Sequence, residues 1–554
     1  MGKLQEIIKI NSKDNVLVAL RKLKKGSTYI LNNKEYLIQE NIDSKHKFAM
    51  KNFDIGDAIY MYGVLVGKAT KKILKGGLIT QNNIKHSTTN FCVPKKKQII
   101  KWIPPNVSKF KTKTFQGYHR KDGKVGTENN WLIIPLVFCE NRNVEIIKKA
   151  LLKKLGFEKK DNLGIDVNSL IEDYKSGASI NSILEKNIII NSKKSSKNKL
   201  FPNVDGIKFL THNGGCGGTR SDSHTLCKLF AGYINNPNVG GATVLSLGCQ
   251  NAQISILKTA LQGISPNIDK PIYYLEQQQS NSEKEFISEA IKKTFVGLIH
   301  INKFKRKPSP LNKLTIGLEC GGSDGFSGIS ANPSLGYLSD LIVGLGGKAL
   351  LAEFPELNGV EQELINRCIN KEKAIKFSNI ISSYNAKAIA VGSGFFANPS
   401  PGNIKDGLIT DAIKSAGAAK KGGTSPINDV LDYTEQATVS GLNLLCTPGN
   451  DVESTTGLAG SGANIILFTT GLGTPTGNPI TPVIKISSNT KLYKKMNDII
   501  DFNAGQIIEG HSSIKDNGEN LLNFLIKIAS GEIETKAKKL EQNDFIPWKR
   551  DISL

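Results

Sequence analysis

From Phe115 to the C-terminus, apolar runs alternate with segments of helical periodicity. Trp131–Cys139 (WLIIPLVFC) is almost continuously apolar and precedes a helical pattern over Val144–Leu155. Ile207–Leu210 leads into a glycine loop, Thr243–Gly248 into a helix-like Gln253–Leu261, and Leu314–Leu318 into another glycine loop. Short strands are also expected at Ile272–Leu275, Ala388–Val391 and Asn464–Thr469. Unbroken apolar strands between helices predict a mainly parallel sheet covered on both faces.

The first 92 residues have a different texture. Short apolar runs (Asn15–Leu20, Ala58–Val64) are punctuated by Gly26, Gly56, Gly63, Gly67 and Gly76-Gly77, the pattern of a small β-rich module. Residues 93–114 are lysine-rich and contain Pro104-Pro105, so they read as a linker. The expected organisation is a β-rich module over 1–92, a linker over 93–114, an α/β domain over 115–305 and a C-terminal α/β domain over 306–554. Ile188–Lys199 reads as a strand end running into a solvated insertion.

Composition narrows the function classes. No run approaches the ~18 apolar residues of a membrane span, and the N-terminal residues lack the apolar core of a signal peptide, so a cytoplasmic protein is expected. A net charge of +24 ordinarily points to nucleic acid. Here lysine vastly outnumbers arginine and is scattered, a pattern of codon bias and not of an arginine-built nucleic-acid face. Neither nucleic acid nor membrane is expected as a partner.

The chemistry is expected in loops leaving the carboxyl ends of strands. Three carry a cysteine beside glycine: Thr211-His212-Asn213-Gly214-Gly215-Cys216, Gly248-Cys249, and Glu319-Cys320-Gly321-Gly322-Ser323-Asp324. Converging thiolates with a histidine are soft metal ligands suited to iron or zinc. Cys139 follows another apolar strand and is a fourth candidate thiol, while Cys92, Cys227, Cys368 and Cys446 read as structural. Arg120 beside Asp122 holds a carboxylate or braces a loop. Asn398, Thr470 and Lys485 lie in or just beyond polar strand-end segments that suit a polyhydroxylated ligand. No Walker-type or strand–GxGxxG–helix unit appears, so nucleotide binding is unsupported.

The stretches GYHRKDGKVGTEN (117–129), THNGGCGG (211–218), NPNVGGATVLSLGCQNAQ (236–253), ECGGSDGFSGISANPSLG (319–336), NPSPGN (398–403), the run at 448–485 and FNAGQ (502–506) resemble the altronate/galactarate dehydratase family. Residues 14–20 and 46–70 resemble that family's SAF-type module. The resemblance implies an enzyme of hexuronate breakdown that removes water from D-altronate to give 2-keto-3-deoxy-D-gluconate. Galactarate dehydration and sulfolactate sulfo-lyase activity are the alternatives with the same elimination chemistry. It further implies activation by Fe²⁺ or Mn²⁺, with an iron–sulfur cluster as the alternative. The implied partner is a small sugar acid; a homo-oligomer is the assembly considered.

The chain departs from the family pattern in three places. The family's module often ends in a His-Thr-His-Asn run, where this chain has Leu78-Ile79-Thr80-Gln81-Asn82-Asn83, and His86 is out of register. Glu128 and Leu472 each stand where an arginine is common. With those departures, the expected site has Cys216, Cys249, Cys320 and His212 as metal ligands, and His212, Asp324 or Glu319 as the base. Arg120, Asp122, Asn398, Thr470 and Lys485 are then expected around the substrate.

Overall fold

The computed structural model describes residues 5–94, 101–158, 164–190 and 199–551. Most of the expected insertion at 188–199, and part of the expected linker, lie outside these. The N-terminal region is strand-rich. Val16–Ala19 is buried on both faces and anchors a four-stranded antiparallel sheet, and Ala58–Met61, Val64–Ala69 and Ile84–Lys85 form a three-stranded one. Beyond residue 101 the chain is not a free connection: Phe110 is buried in the C-terminal core, and Thr114–His119 pairs antiparallel with Lys307–Pro310.

The middle region alternates strand and helix as its pattern predicts. In chain order these are β1 (Asn130–Pro135), α1 (Asn141–Leu155), β2 (Gly206–Phe209), α2 (Arg220–Asn235), β3 (Val239–Ser246), α3 (Ile254–Ile264), β4 (Ile272–Glu276) and α4 (Glu283–Ile301). The four strands are parallel, in the order β2-β1-β3-β4. Every residue of β1 is buried, so its run has no polar alternation. Trp131 fills the space between β1 and α4, and its Nε1 donates to Thr243 Oγ1 at 3.1 Å. That space exists because residue 297 is glycine; a Cβ there would stand 2.0 Å from the Trp131 ring. Burying each large apolar side chain of this kind contributes roughly 1.5–3 kcal/mol.

The C-terminal region repeats the design on a larger scale: β5 (Thr315–Cys320), α5 (Ala331–Gly344), β6 (Lys348–Leu351), α6 (Lys371–Ala390), β7 (Ile427–Leu431), β8 (Gly441–Leu445), α7 (Asp451–Gly460), β9 (Ile465–Thr470), β10 (Val483–Ser487) and β11 (Phe502–Asn503). All seven strands are parallel, in the order β7-β8-β6-β5-β9-β10-β11. The strand expected at Ala388–Val391 is instead the end of α6, with Ile389 and Val391 exposed. Four apolar residues are too short a run to separate a strand from the end of a surface helix.

The two α/β regions are joined by buried amides. Asn238 Nδ2 donates to Asn464 O and Ile480 O, both at 2.9 Å, while its Oδ1 accepts from Thr127 N at 2.7 Å. Among the described residues, no helix is long and apolar enough to cross a membrane.

Candidate active site

The carboxyl ends of β5 and β6 meet in a buried cluster of charge. Cys320 closes β5, and its neighbour Glu319 is also in the strand; Glu353 and Glu356 follow β6. Cys320 Sγ donates to Glu356 Oε2 at 3.1 Å. Lys421 Nζ donates to Cys320 Sγ at 2.8 Å and to Glu353 Oε2 at 2.7 Å. Lys414 Nζ lies 2.7 Å from Glu356 Oε1 and donates to Asn398 Oδ1 at 2.6 Å. Ser454 Oγ donates to Glu319 Oε2 at 2.6 Å. Glu353 takes φ 66°, a left-handed conformation that costs a non-glycine residue ~1 kcal/mol or more. Its N–H is held by Thr447 Oγ1 at 2.8 Å. Strain of this kind persists where the surroundings over-determine it.

The electrostatics divide the carboxyls into different states. Burial, reinforced by the charge on Glu353, pushes Glu319 well above the usual carboxyl range. Burial also raises Glu353, with Glu356 adding to the effect. Burial opposes ionisation of Glu356 too, but Lys414 and Lys421 overcome it and hold that group down to about 2. Cys320 is driven well up by burial and by both glutamates, with Lys421 and Lys414 opposing. For Lys421 burial is outweighed by Cys320 and the glutamates, so it stays an ammonium.

Asp451 completes the group. It opens α7, whose N-cap Asn450 accepts from Val452 and Glu453 N–H. Burial, then Glu353 and Glu356, raise its carboxyl to about 7. It reaches the site across Gly321, where a Cβ would stand 2.0 Å from Asp451 Oδ2. Around it, Asn398–Ser400, Gly449-Asn450 and Gly471–Thr474 form a partly exposed polar rim with Leu472 on it. A carboxyl poised near neutrality, a neutral carboxyl donor and two fixed ammoniums are the components of proton abstraction beside a carboxylate.

The other expected residues fall in several places. Asn398 touches this cluster: its Nδ2 donates to Glu356 Oε1 at 3.2 Å. Asp324 lies on the same β5 loop but anchors the N-terminal module. Lys45 Nζ is 3.1 Å from its carboxylate, and Ser327, Ser488 and Asn489 donate to it. Thr470 Oγ1 accepts from Gly473 N and Thr474 N, shaping the rim. Lys485 is buried beside Gln542 and Asp501, with burial lowering its amine to about 8.

Arg120 is buried and braces a loop, donating to Pro237 O at 2.8 Å and Asn129 Oδ1 at 3.1 Å. Asp122 pairs with Lys124 at 2.8 Å and lines a separate crevice of about 450 Å³ at the amino ends of the C-terminal strands. His212 is buried; its Nε2 donates to Pro135 O at 2.8 Å and its Nδ1 accepts from Gly214 N at 2.9 Å. Both ring nitrogens are therefore occupied, and burial lowers the imidazole to about 4. Cys216 and Cys249 are exposed at the carboxyl end of the other sheet, while Cys320 is 1% exposed here. Glu128 pairs with Lys538 at 2.6 Å, which gives its negative charge a structural partner in the C-terminal region.

The donor set Cys320, Glu353 and Glu356 offers ligand atoms within 4.8 Å of one another, right in kind for a divalent metal. Lys421 already bonds two of the three, and its ammonium would lie against any ion they chelated. The cluster as arranged does not fit a divalent metal.

Sequence comparisons agree along the chain. Residues 5–87 match the altronate/galactarate dehydratase SAF domain. Residues 117–302 match the D-galactarate dehydratase/altronate hydrolase second domain, and residues 311–553 the D-galactarate/altronate dehydratase C-terminal domain. The altronate dehydratase of Bacillus subtilis (strain 168) is 32% identical over 98% of both chains. That of Escherichia coli (strain K12) is 30% identical over 98% of this chain and 97% of its own. The L-threo-forming galactarate dehydratase of E. coli K12 is 29% identical over 95% of this chain and 93% of its own.

Proposed function

Since the chain belongs to the D-galactarate/altronate dehydratase family, we propose that it is a hydro-lyase that converts D-altronate to 2-keto-3-deoxy-D-gluconate and water. The observation that carries the reading is the buried cluster of Glu319, Glu353 and Glu356 paired with the Lys414 and Lys421 ammoniums, with Asp451 reaching it across Gly321; burial pushes Glu319 up and raises Asp451 to about 7.

The reaction removes the C2 proton, next to the substrate carboxylate, and expels the C3 hydroxyl. The enol that remains tautomerises to the 2-keto acid. The C2 proton is weakly acidic because its loss piles charge on the carboxylate. Lys414 and Lys421, fixed in a low-dielectric site, stabilise that charge as it forms. Asp451 takes the proton, and a carboxyl held neutral supplies the proton to the departing hydroxyl; Glu319 has that state. The polar rim, with Asn398 and the 470–474 loop, receives the substrate hydroxyls. The iron or manganese that the family resemblance implies is not assigned to this cluster, because Lys421 holds the cation position.

The test is an anaerobic assay with D-altronate and, separately, galactarate, following the 2-keto-3-deoxy acid. Turnover of D-altronate at least tenfold above galactarate supports the proposal. Turnover of galactarate alone transfers the reading to that substrate, and turnover of neither contradicts it.

A further inference from the structure

Three cysteines outside the cluster share one edge of the molecule. Cys139 lies in the turn between β1 and α1, Cys216 between β2 and α2, and Cys249 between β3 and α3. Because β2, β1 and β3 are adjacent and parallel, all three loops leave the same end of the sheet. Gly215 is the hub that draws them together. At φ 96° it sits so close to β1 that a Cβ would stand 2.1 Å from Leu136 O. On its other side its carbonyl accepts from Asn251 N at 3.0 Å and Ala252 N at 3.1 Å. Phe138 N donates to the adjoining Gly214 O at 3.1 Å.

All three thiols are exposed and unpaired in disulfides, unlike buried Cys227, Cys368 and Cys446. Each is followed within a few residues by a helix N-terminus. Beside Cys216 is a cavity of about 80 Å³ that Asp222 also lines, and the Asp222 Oδ2 atom is shielded without a hydrogen-bond partner.

We propose that Cys139, Cys216 and Cys249 together hold a [4Fe–4S] cluster at the carboxyl end of the second-domain sheet. Three thiolates on one tetrahedral ion with 2.3 Å bonds lie about 3.8 Å apart. Among the described residues, these sulfurs do not form a set mutually within 4.8 Å. A cluster spreads its cysteines over separate irons, so thiols from three neighbouring loops are the kind of donor set it takes. Three cysteines are one fewer than the usual four, so one iron keeps a position for an oxygen ligand from solvent. The proposal stands whichever sugar acid is turned over, because its readout does not depend on activity.

The experiment is anaerobic purification of the full chain, followed by reconstitution with ferrous iron and sulfide. Iron, acid-labile sulfide, visible absorbance and the paramagnetic resonance of the reduced protein are then measured. The expected result is about four iron and four sulfide per chain, with a broad visible band. C139S, C216S and C249S should each lose the band and most of the iron while keeping the wild-type circular dichroism. C320S should keep the cluster. Failure of the wild type to bind sulfide, preferential uptake of a single zinc, or a cluster that survives the triple C139S/C216S/C249S substitution would each overturn the assignment. If a single substitution unfolds the chain, cysteine-to-alanine variants and the wild-type sulfide content decide it.

Discussion

At the carboxyl end of the C-terminal sheet, Cys320 is buried against two glutamates and a lysine; at the same end of the second-domain sheet, Cys139, Cys216 and Cys249 face solvent. Both sheets are parallel and both place glycine beside cysteine in strand-end loops. Burial separates their chemistry. In the C-terminal cluster, desolvation pushes the thiol and Glu319 up, and two ammoniums balance the charge of the group. On the second sheet, open thiols next to helix N-termini are available as ligands. A glycine–cysteine loop therefore announces a strand end, and its surroundings decide between an acid–base device and a metal site.

The largest expected effect comes from unbalancing the buried cluster. Lys421→Met leaves Glu353 without its cation and should cost about 3–5 kcal/mol of stability and about 10²–10³-fold in turnover. Denaturant melts and kcat measure the two effects. A near-neutral substitution would show that the cluster is not charge-coupled as described.

Asp451→Asn comes next. It should lower kcat by about 10²–10⁴-fold with an unchanged melt. In the wild type kcat should rise with pH and level off above about 7, because the base must be ionised and its carboxyl is raised to that value. The residual rate of the variant should lack that limb; a retained limb would assign it to another group.

His212 sharpens the comparison from the second sheet. It is neutral in the fold, with its ordinary 6.5 lowered to about 4 by burial. Between those values the unfolded chain binds the extra proton, so stability rises with pH. Its contribution is present above pH 6.5 and is lost as pH falls toward 4, on the order of 3 kcal/mol. Urea midpoints at pH 7 and pH 4.5 should therefore separate more in the wild type than in His212→Gln. Equal separation would contradict the buried-neutral reading.

The smallest effect is at the rim. Leu472 is partly exposed at the site's edge. Leu472→Arg should change KM for a sugar diacid by about two- to fivefold, with little change in kcat. A large kcat effect would place residue 472 in the chemistry.

The strands that carry both sites were legible because they are buried on both faces: WLIIP reads as a strand without alternation, and Glu319, Cys320 and Asp324 were identifiable as strand-end residues. Their partners were not. Lys414 and Lys421 are indistinguishable by composition among so many lysines, and they meet their partners from far along the chain, Lys421 from 101 residues beyond Cys320. Glu353 and Glu356 carried the one missed signal, two acidic residues directly after the apolar run Ala349–Ala352. His212 shows the opposite failure: its loop position suggested a ligand, but two local hydrogen bonds, to Pro135 O and from Gly214 N, already use both nitrogens. The Ala388–Val391 run misled because surface helices also end in apolar residues.

The most direct test of the central claim is release of deuterium from C2 of labelled D-altronate into solvent. The account predicts release by the wild type that falls at least 10²-fold in Asp451→Asn, with substrate binding retained. Undiminished release by that variant would contradict the assignment of the elimination to the C-terminal sheet's buried cluster.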